Sequence, residues 1–168
     1  MSDQITINKN AVIFIIDDES IVASGLKRYL AEAGYDKVHV FTNPVEAFET
    51  LKNLTPDLIV TDLNMPELGG RFLTKLIRQE QHLARTPIIA ITAEALDSIV
   101  DYVVENNVAE VVTKPIEERD FIQAVGSAIE EHIDGVNQQL VDKLIERRMT
   151  QENFKIREKN VRAVFNRS

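Results

Sequence analysis

Five residues of this 168-residue chain carry side chains able to do chemistry together: Asp17, Asp18, Asp62, Thr92 and Lys114. They stand at the ends of four apolar runs, Ala11 to Ile16, Leu58 to Thr61, Pro87 to Ile91 and Val108 to Thr113. Runs of this kind fit strands buried on both faces of a parallel sheet. Residues at the carboxyl ends of such strands lie where open α/β sheets hold their ligands. Three carboxylates gathered there repel one another; at an effective dielectric near 20, each pair about 4 Å apart costs about 4 kcal/mol. A hard divalent cation with oxygen ligands offsets that repulsion, and the ammonium of Lys114 is the second contributor. Magnesium suits the site better than calcium, because it takes one or two carboxylates, keeps several waters and accepts a phosphate oxygen. A carboxylate beside Mg2+, faced by a Lys and a hydroxyl, is arranged to receive a phosphoryl group as its nucleophile. Each residue alone has an ordinary explanation: a helix cap for Asp17 or Asp18, a turn cap for Asp62, a strand former for Thr92, a surface charge for Lys114. Their coincidence at four strand ends is what points to a site.

The elements that must position these residues follow from the pattern between them. Helical spacing runs from Ile21 to a stop at Gly34. Val38 to Phe41 reads as a short edge strand, and Asn43-Pro44 opens a helix reaching about Asn53, with Asn43 as cap. Further helices are expected over about 70–80, 96–106 and 117–133, the last stopped by Gly135. Five strands alternating with five helices predict an α/β fold, a (βα)5 three-layer sandwich. The buried first strand and the mixed second favour a five-stranded parallel sheet of order 2-1-3-4-5, the flavodoxin/CheY-like arrangement, with a C-terminal helical extension.

With the strand ends in place, the chain resembles the receiver domain of two-component response regulators. The resemblance covers residues 9–132 and rests on Asp17-Asp18, Asp62-Leu63-Asn64-Met65-Pro66 with Gly70 after it, Thr92-Ala93 and Lys114-Pro115, in order and at the family's intervals. It implies that Asp62 is the phosphoacceptor. It implies that Asp18 ligates Mg2+ directly, that Asp17 acts largely through water, and that Asp62 and the backbone carbonyl of Asn64 complete the protein's share of the shell. Thr92 corresponds to the switch hydroxyl, Lys114 to its ion partner, and the peptide before Pro115 to a bond that is usually cis in the family, as X-Pro bonds alone tolerate at low cost. Asn64 and Glu94, two residues beyond Asp62 and Thr92, are expected to flank the attacking water and set the lifetime of the phosphoaspartate. The chain departs from the family at Val111, where a Tyr or Phe often turns inward on activation; Tyr102 is a weaker substitute, expected as a core or surface aromatic.

The function expected is a phosphorylation-dependent signalling switch fed by a sensor histidine kinase or a histidine phosphotransfer protein, catalysing only its own phosphoryl transfer and dephosphorylation. An aspartyl-nucleophile phosphatase would want an acid at position 64, which is Asn. A flavin carrier would want a hydroxyl-rich phosphate loop where Asp17-Asp18-Glu19 stand. The chain has no cysteine and no apolar run near the ~20 residues of a membrane span, and Met1 to Gln4 does not read as a secretory signal, so a cytoplasmic location is expected.

Charge divides the chain at about residue 132. Residues 133–168 hold eight Lys/Arg against five Asp/Glu, whereas residues 1–132 hold 11 against 22. An acidic body argues against direct DNA binding, and 36 residues beyond His132 are too few for a DNA-binding module. The expected division is a receiver domain over 1–132 and a helical tail over 133–168, which is either a dimerisation element or the start of a longer multi-domain regulator. The tail carries a weak heptad stripe, Ile133, Asn137, Leu140, Leu144, Arg147, Gln151, Phe154, Glu158, Val161 and Phe165. A helix this short is marginal alone, so the stripe should bury itself, in a homodimer by preference or on the acidic body. Thr150 is a candidate cap for a separate helical piece.

Overall fold

The computed structural model describes residues 8–66, 68–130 and 138–165. Strands β1 (Ile13–Ile16), β2 (Val38–Phe41), β3 (Leu58–Asp62), β4 (Ile88–Thr92) and β5 (Glu110–Thr113) form one parallel sheet, ordered β2-β1-β3-β4-β5. Helices α1 (Ser20–Glu32), α2 (Pro44–Leu51), α3 (Gly70–Gln79), α4 (Val100–Glu105) and α5 (Glu118–Glu130) alternate with the strands, and α6 (Gln138–Phe165) follows. Alternation along each strand sends side chains to opposite faces. Ile13, Ile15, Leu58, Val60, Ile89 and Ile91 face α1 and α5, and pack with Leu26, Leu30 and Phe121. Phe14, Ile16, Ile59 and Ile88 face the other way, against Ala47, Leu51, Leu73 and Ile77 of α2 and α3. The two-sided burial of β1, β3 and β4 is the physical reason for their unbroken apolar runs.

Local chemistry sets the helix starts. The Asn43 side chain accepts from the Val45 and Glu46 amides, and Pro44 takes the first helical position of α2, where its missing N–H is harmless. Gly34 ends α1 at φ 95°, a left-handed conformation that suits glycine. One expected helix is broken in two. Residues Leu96–Ile99 wind as a 3-10 turn, and the α-helix begins only at Val100. No side chain caps the turn at Ala95, and the Ser98 hydroxyl donates to the Ala95 carbonyl at 2.7 Å, a local bond that competes with regular helix. Arg78, near the end of α3, ties this region to the body through the carbonyls of Leu83, Thr86, Asn106 and Asn107.

The start of the tail takes one of the two placements expected for it. Leu140, Val141 and Leu144 of α6 are buried against Leu63, Ala90, Ile99, Val100, Tyr102, Val103 and Val108 of the chain's own body. Fully burying a side chain of this size is worth about 1.5–3 kcal/mol, enough for these three to hold the start of a helix whose later turns are rich in charge. At Leu140 and Leu144 the stripe, expected to bury itself in a homodimer by preference or on the acidic body, is covered in cis. Thr150 does not begin a new helix. Its hydroxyl donates to the Glu146 carbonyl four residues back, at 2.9 Å, and α6 runs through it. The Gly135 stop, the stripe positions Ile133 and Asn137, and the 132/133 boundary lie outside the described residues, as do the side chains of Gln151, Phe154, Glu158, Val161 and Phe165.

Candidate functional site

Register brings the chemistry-bearing residues to one edge of the sheet. Ile16, the last residue of β1, pairs with Thr61, and Thr92 pairs with Thr113, so Asp17, Asp62, Thr92 and Lys114 leave their strands at the same level. One carboxylate oxygen from each of Asp17, Asp18 and Asp62 lies within 4.8 Å of the other two. Asp17 and Asp62 are each 1% exposed, with Asp18 more open to solvent. Lys114 Nζ donates to Asp62 Oδ2 at 2.9 Å and approaches Glu19 Oε1 at 3.4 Å. The peptide between Lys114 and Pro115 is cis.

Backbone amides hold the carboxylates in place. The Glu19 N–H donates to Asp17 Oδ1 at 2.9 Å, and the Asn64 N–H donates to Asp62 Oδ1 at 3.0 Å. Thus both oxygens of Asp62 are engaged, while Asp17 Oδ2 is buried without a hydrogen-bond partner. Desolvation pushes the Asp17 carboxyl up to about 6, the Glu19 amide opposing it and the Asp62 charge reinforcing it. Burial pulls the Lys114 ammonium down, but its hydrogen bond to Asp62 and the Asp62 and Asp17 charges outweigh that, and the net shift is upward.

Gly70 explains why a glycine opens α3. A Cβ there would collide with the Asp62 carbonyl oxygen, and the Gly70 N–H donates to the Leu63 carbonyl at 3.2 Å. The helix start is thereby pressed against the strand end that carries Asp62. Across the site, the buried Thr92 hydroxyl accepts from the Glu94 N–H at 2.9 Å.

Glu94 does not stand free at the rim. Its Oε2 pairs with Arg71 Nη2 at 2.5 Å and lies 3.3 Å from the Ser98 hydroxyl oxygen. Arg71, the second residue of α3, lies over the Tyr102 ring, its guanidinium carbon 5.4 Å from the centroid. Tyr102 itself is a core residue whose hydroxyl pairs with Thr74 Oγ1 at 2.7 Å, and Thr74 donates in turn to the Gly70 carbonyl at 2.8 Å. Sequence reasoning missed Arg71, because a lone Arg in a first helical turn has no spacing relation to an acid 23 residues later. Val111 packs at the edge of the cluster that includes Tyr102, Leu140 and Leu144, so the tail helix fills the neighbourhood of the missing aromatic.

The unpartnered Asp17 oxygen, the three converging carboxylates and the all-oxygen donor set fit a small hard cation.

The sequence matches the family described as response regulator receiver domain over residues 13–126, and the chain belongs to that family. The polar-differentiation response regulator DivK of Brucella anthropi is 26% identical over 115 residues, covering 68% of this chain and 93% of the relative. Chemotaxis protein CheY-3 of Vibrio cholerae is 37% identical over 89 residues, covering 53% of this chain and 68% of that protein. Hybrid signal transduction histidine kinase F of Dictyostelium discoideum is 31% identical over 129 residues, or 74% of this chain, but the match spans only 11% of that kinase. Among solved structures, the receiver domain of a signal transduction histidine kinase from Syntrophus aciditrophicus superposes with a TM-score of 0.64 at 28% identity, covering 71% of this chain and 89% of that one. No helix among the described residues is long and apolar enough to cross a membrane.

Proposed function

We propose that this receiver domain is switched by phosphorylation of Asp62 in the presence of Mg2+, the phosphoryl group coming from a phosphohistidine on a sensor kinase or phosphotransfer protein. The observation that carries the reading is the convergence of Asp17, Asp18 and Asp62 with Lys114 hydrogen-bonded to Asp62 Oδ2. Asp62 attacks phosphorus through a carboxylate oxygen. The P–N bond to the donor histidine breaks with its electron pair left on the ring nitrogen. Asp17, Asp18, Asp62 and the Asn64 carbonyl would hold the cation. Bound there, Mg2+ would neutralise the phosphoryl oxygens as charge moves onto them.

The chain's own groups do the rest. Lys114 supplies a fixed positive charge beside Asp62 and takes a phosphoryl oxygen as Asp62 Oδ2 is used. The Thr92 hydroxyl, free to donate, turns toward another phosphoryl oxygen and draws on the Glu94 amide it now accepts from. An apolar groove beside the site, lined by Ile21, Val22, Tyr29, Pro115 and Ile116, supports docking of the phosphate-bearing partner, and Ile21 at its lip is 87% exposed. The reading carries a cytoplasmic location and no turnover of an outside substrate beyond the phosphoryl donor.

The test is chemical mapping. After incubation with a small-molecule phosphodonor and Mg2+, borohydride reduction converts a phosphorylated aspartate to homoserine, which peptide mass spectrometry should place at position 62. Homoserine at another position, or none, would overturn the assignment.

A further inference from the structure

We infer that Arg71 is a positioning residue for hydrolysis of the phosphoaspartate: by pairing with Glu94 it holds that carboxylate back from the attacking water and lengthens the lifetime of the signal. The inference rests on the reading of Asp62 as phosphoacceptor and extends it to a residue of α3.

Three links fix the Arg71 side chain relative to the reacting centre. Gly70, its chain neighbour, is pressed against the Asp62 backbone so closely that no Cβ fits. The Tyr102 ring lies under the guanidinium, and the Tyr102 hydroxyl is tied through Thr74 Oγ1 to the Gly70 carbonyl. The guanidinium then reaches the loop after β4 and pairs with Glu94 Oε2. Glu94 in turn gives its backbone N–H to the Thr92 hydroxyl. A single ion pair thus bridges the start of α3 and the loop after β4, and one oxygen of Glu94 is engaged by the Arg71 guanidinium.

In hydrolysis the water oxygen bonds to phosphorus and the P–O bond to Asp62 breaks, its electron pair staying on the carboxylate. The protons of the water leave with the phosphate or pass to solvent. A carboxylate accepting a hydrogen bond from that water aims its lone pair at phosphorus. Glu94 is the carboxylate two residues beyond Thr92, and Arg71 competes with the water for it. The pair is partly exposed, with side chains 40% and 32% accessible for Arg71 and Glu94, so salt weakens it.

The experiment loads the full chain with a small-molecule phosphodonor and Mg2+, removes the donor and follows decay of the phosphorylated species by intact mass. Arg71→Gln is expected to shorten the lifetime several-fold, Arg71→Lys to keep it near the parent value, and Glu94→Gln to lengthen it. The double variant should decay like Glu94→Gln alone, because Arg71 acts through Glu94. Equal decay of Arg71→Gln and the parent, or the same fold-change from Arg71→Gln with and without Glu94, would overturn the inference. Salt provides a measurement free of folding effects: decay of the parent should quicken between low and high ionic strength, and decay of Glu94→Gln should not. Equal salt response of the two would also overturn it. A parent chain that takes no phosphoryl at all contradicts the underlying reading of Asp62, an outcome distinct from an unchanged lifetime.

Discussion

Lys114 and Asp62, 52 residues apart in the chain, meet at 2.9 Å, and the same ammonium lies 3.4 Å from Glu19. One cation therefore serves a cluster of acids that it cannot neutralise. Asp17 is left with a buried oxygen that has no hydrogen-bond partner.

That imbalance predicts a response to divalent ions confined to a pH window. The Asp17 carboxyl is pushed from 3.8 to about 6 in the folded chain, so the folded state holds a proton that the unfolded state has lost. Between those values stability without metal falls as pH rises. Metal binding needs the ionised form. Mg2+ should therefore raise the melting temperature fully above pH 7 and lose its effect as pH falls through about 6. Thermal melts with Mg2+ and with chelator across pH 5–8 check this, and a pH-independent Mg2+ shift would contradict it.

Asp17→Asn removes the buried charge while keeping the shape. Without Mg2+ it should stabilise the fold by about 1–3 kcal/mol, the scale of one to two pKa units. It should also abolish most of the Mg2+ response. Denaturant titration with and without the ion reads both effects, and a destabilised variant would count against the account of Asp17.

Gly70→Ala should be among the most damaging single-methyl changes in the chain. The added carbon meets the Asp62 carbonyl, with no flexible side chain to give way. A loss of about 2–4 kcal/mol is expected, in the range of severe overpacking, together with slower phosphoryl uptake as α3 shifts away from Asp62. Unfolding curves and intact-mass time courses check the two effects, and a variant matching the parent in both would contradict the close approach.

Much of this arrangement is legible in the sequence because it is local or periodic. The apolar runs ending in Asp62 and Thr92 become strands buried on both faces, and parallel pairing then forces their ends together. Asn43-Pro44 is a cap written in adjacent letters. The parts that escape it depend on tertiary proximity. The Arg71–Glu94 pair forms because Gly70 and Tyr102 set the height of α3, which no spacing encodes. The direction taken by the Leu140 and Leu144 stripe is equally silent in the sequence, since an apolar face fits a second copy as well as the chain's own α4.

The tail makes a separate prediction. Leu144→Asp places a charge where Leu144 is 2% exposed against Tyr102 and Val103, and should release the start of α6 from the body. Hydrogen exchange over residues 138–150 should accelerate strongly while the sheet stays protected. Sedimentation of the full chain and of a truncation after Asp134 should give the same monomeric state. Unchanged exchange in the variant, or a dimer lost on truncation, would favour the stripe as a contact between copies.

The most direct test of the central claim is intact mass after incubation with a small-molecule phosphodonor. The parent chain should gain a single phosphoryl group in the presence of Mg2+ and essentially none with a chelator, and Asp62→Asn should gain none under either condition. Uptake by Asp62→Asn at the parent's rate, or uptake indifferent to Mg2+, would contradict it.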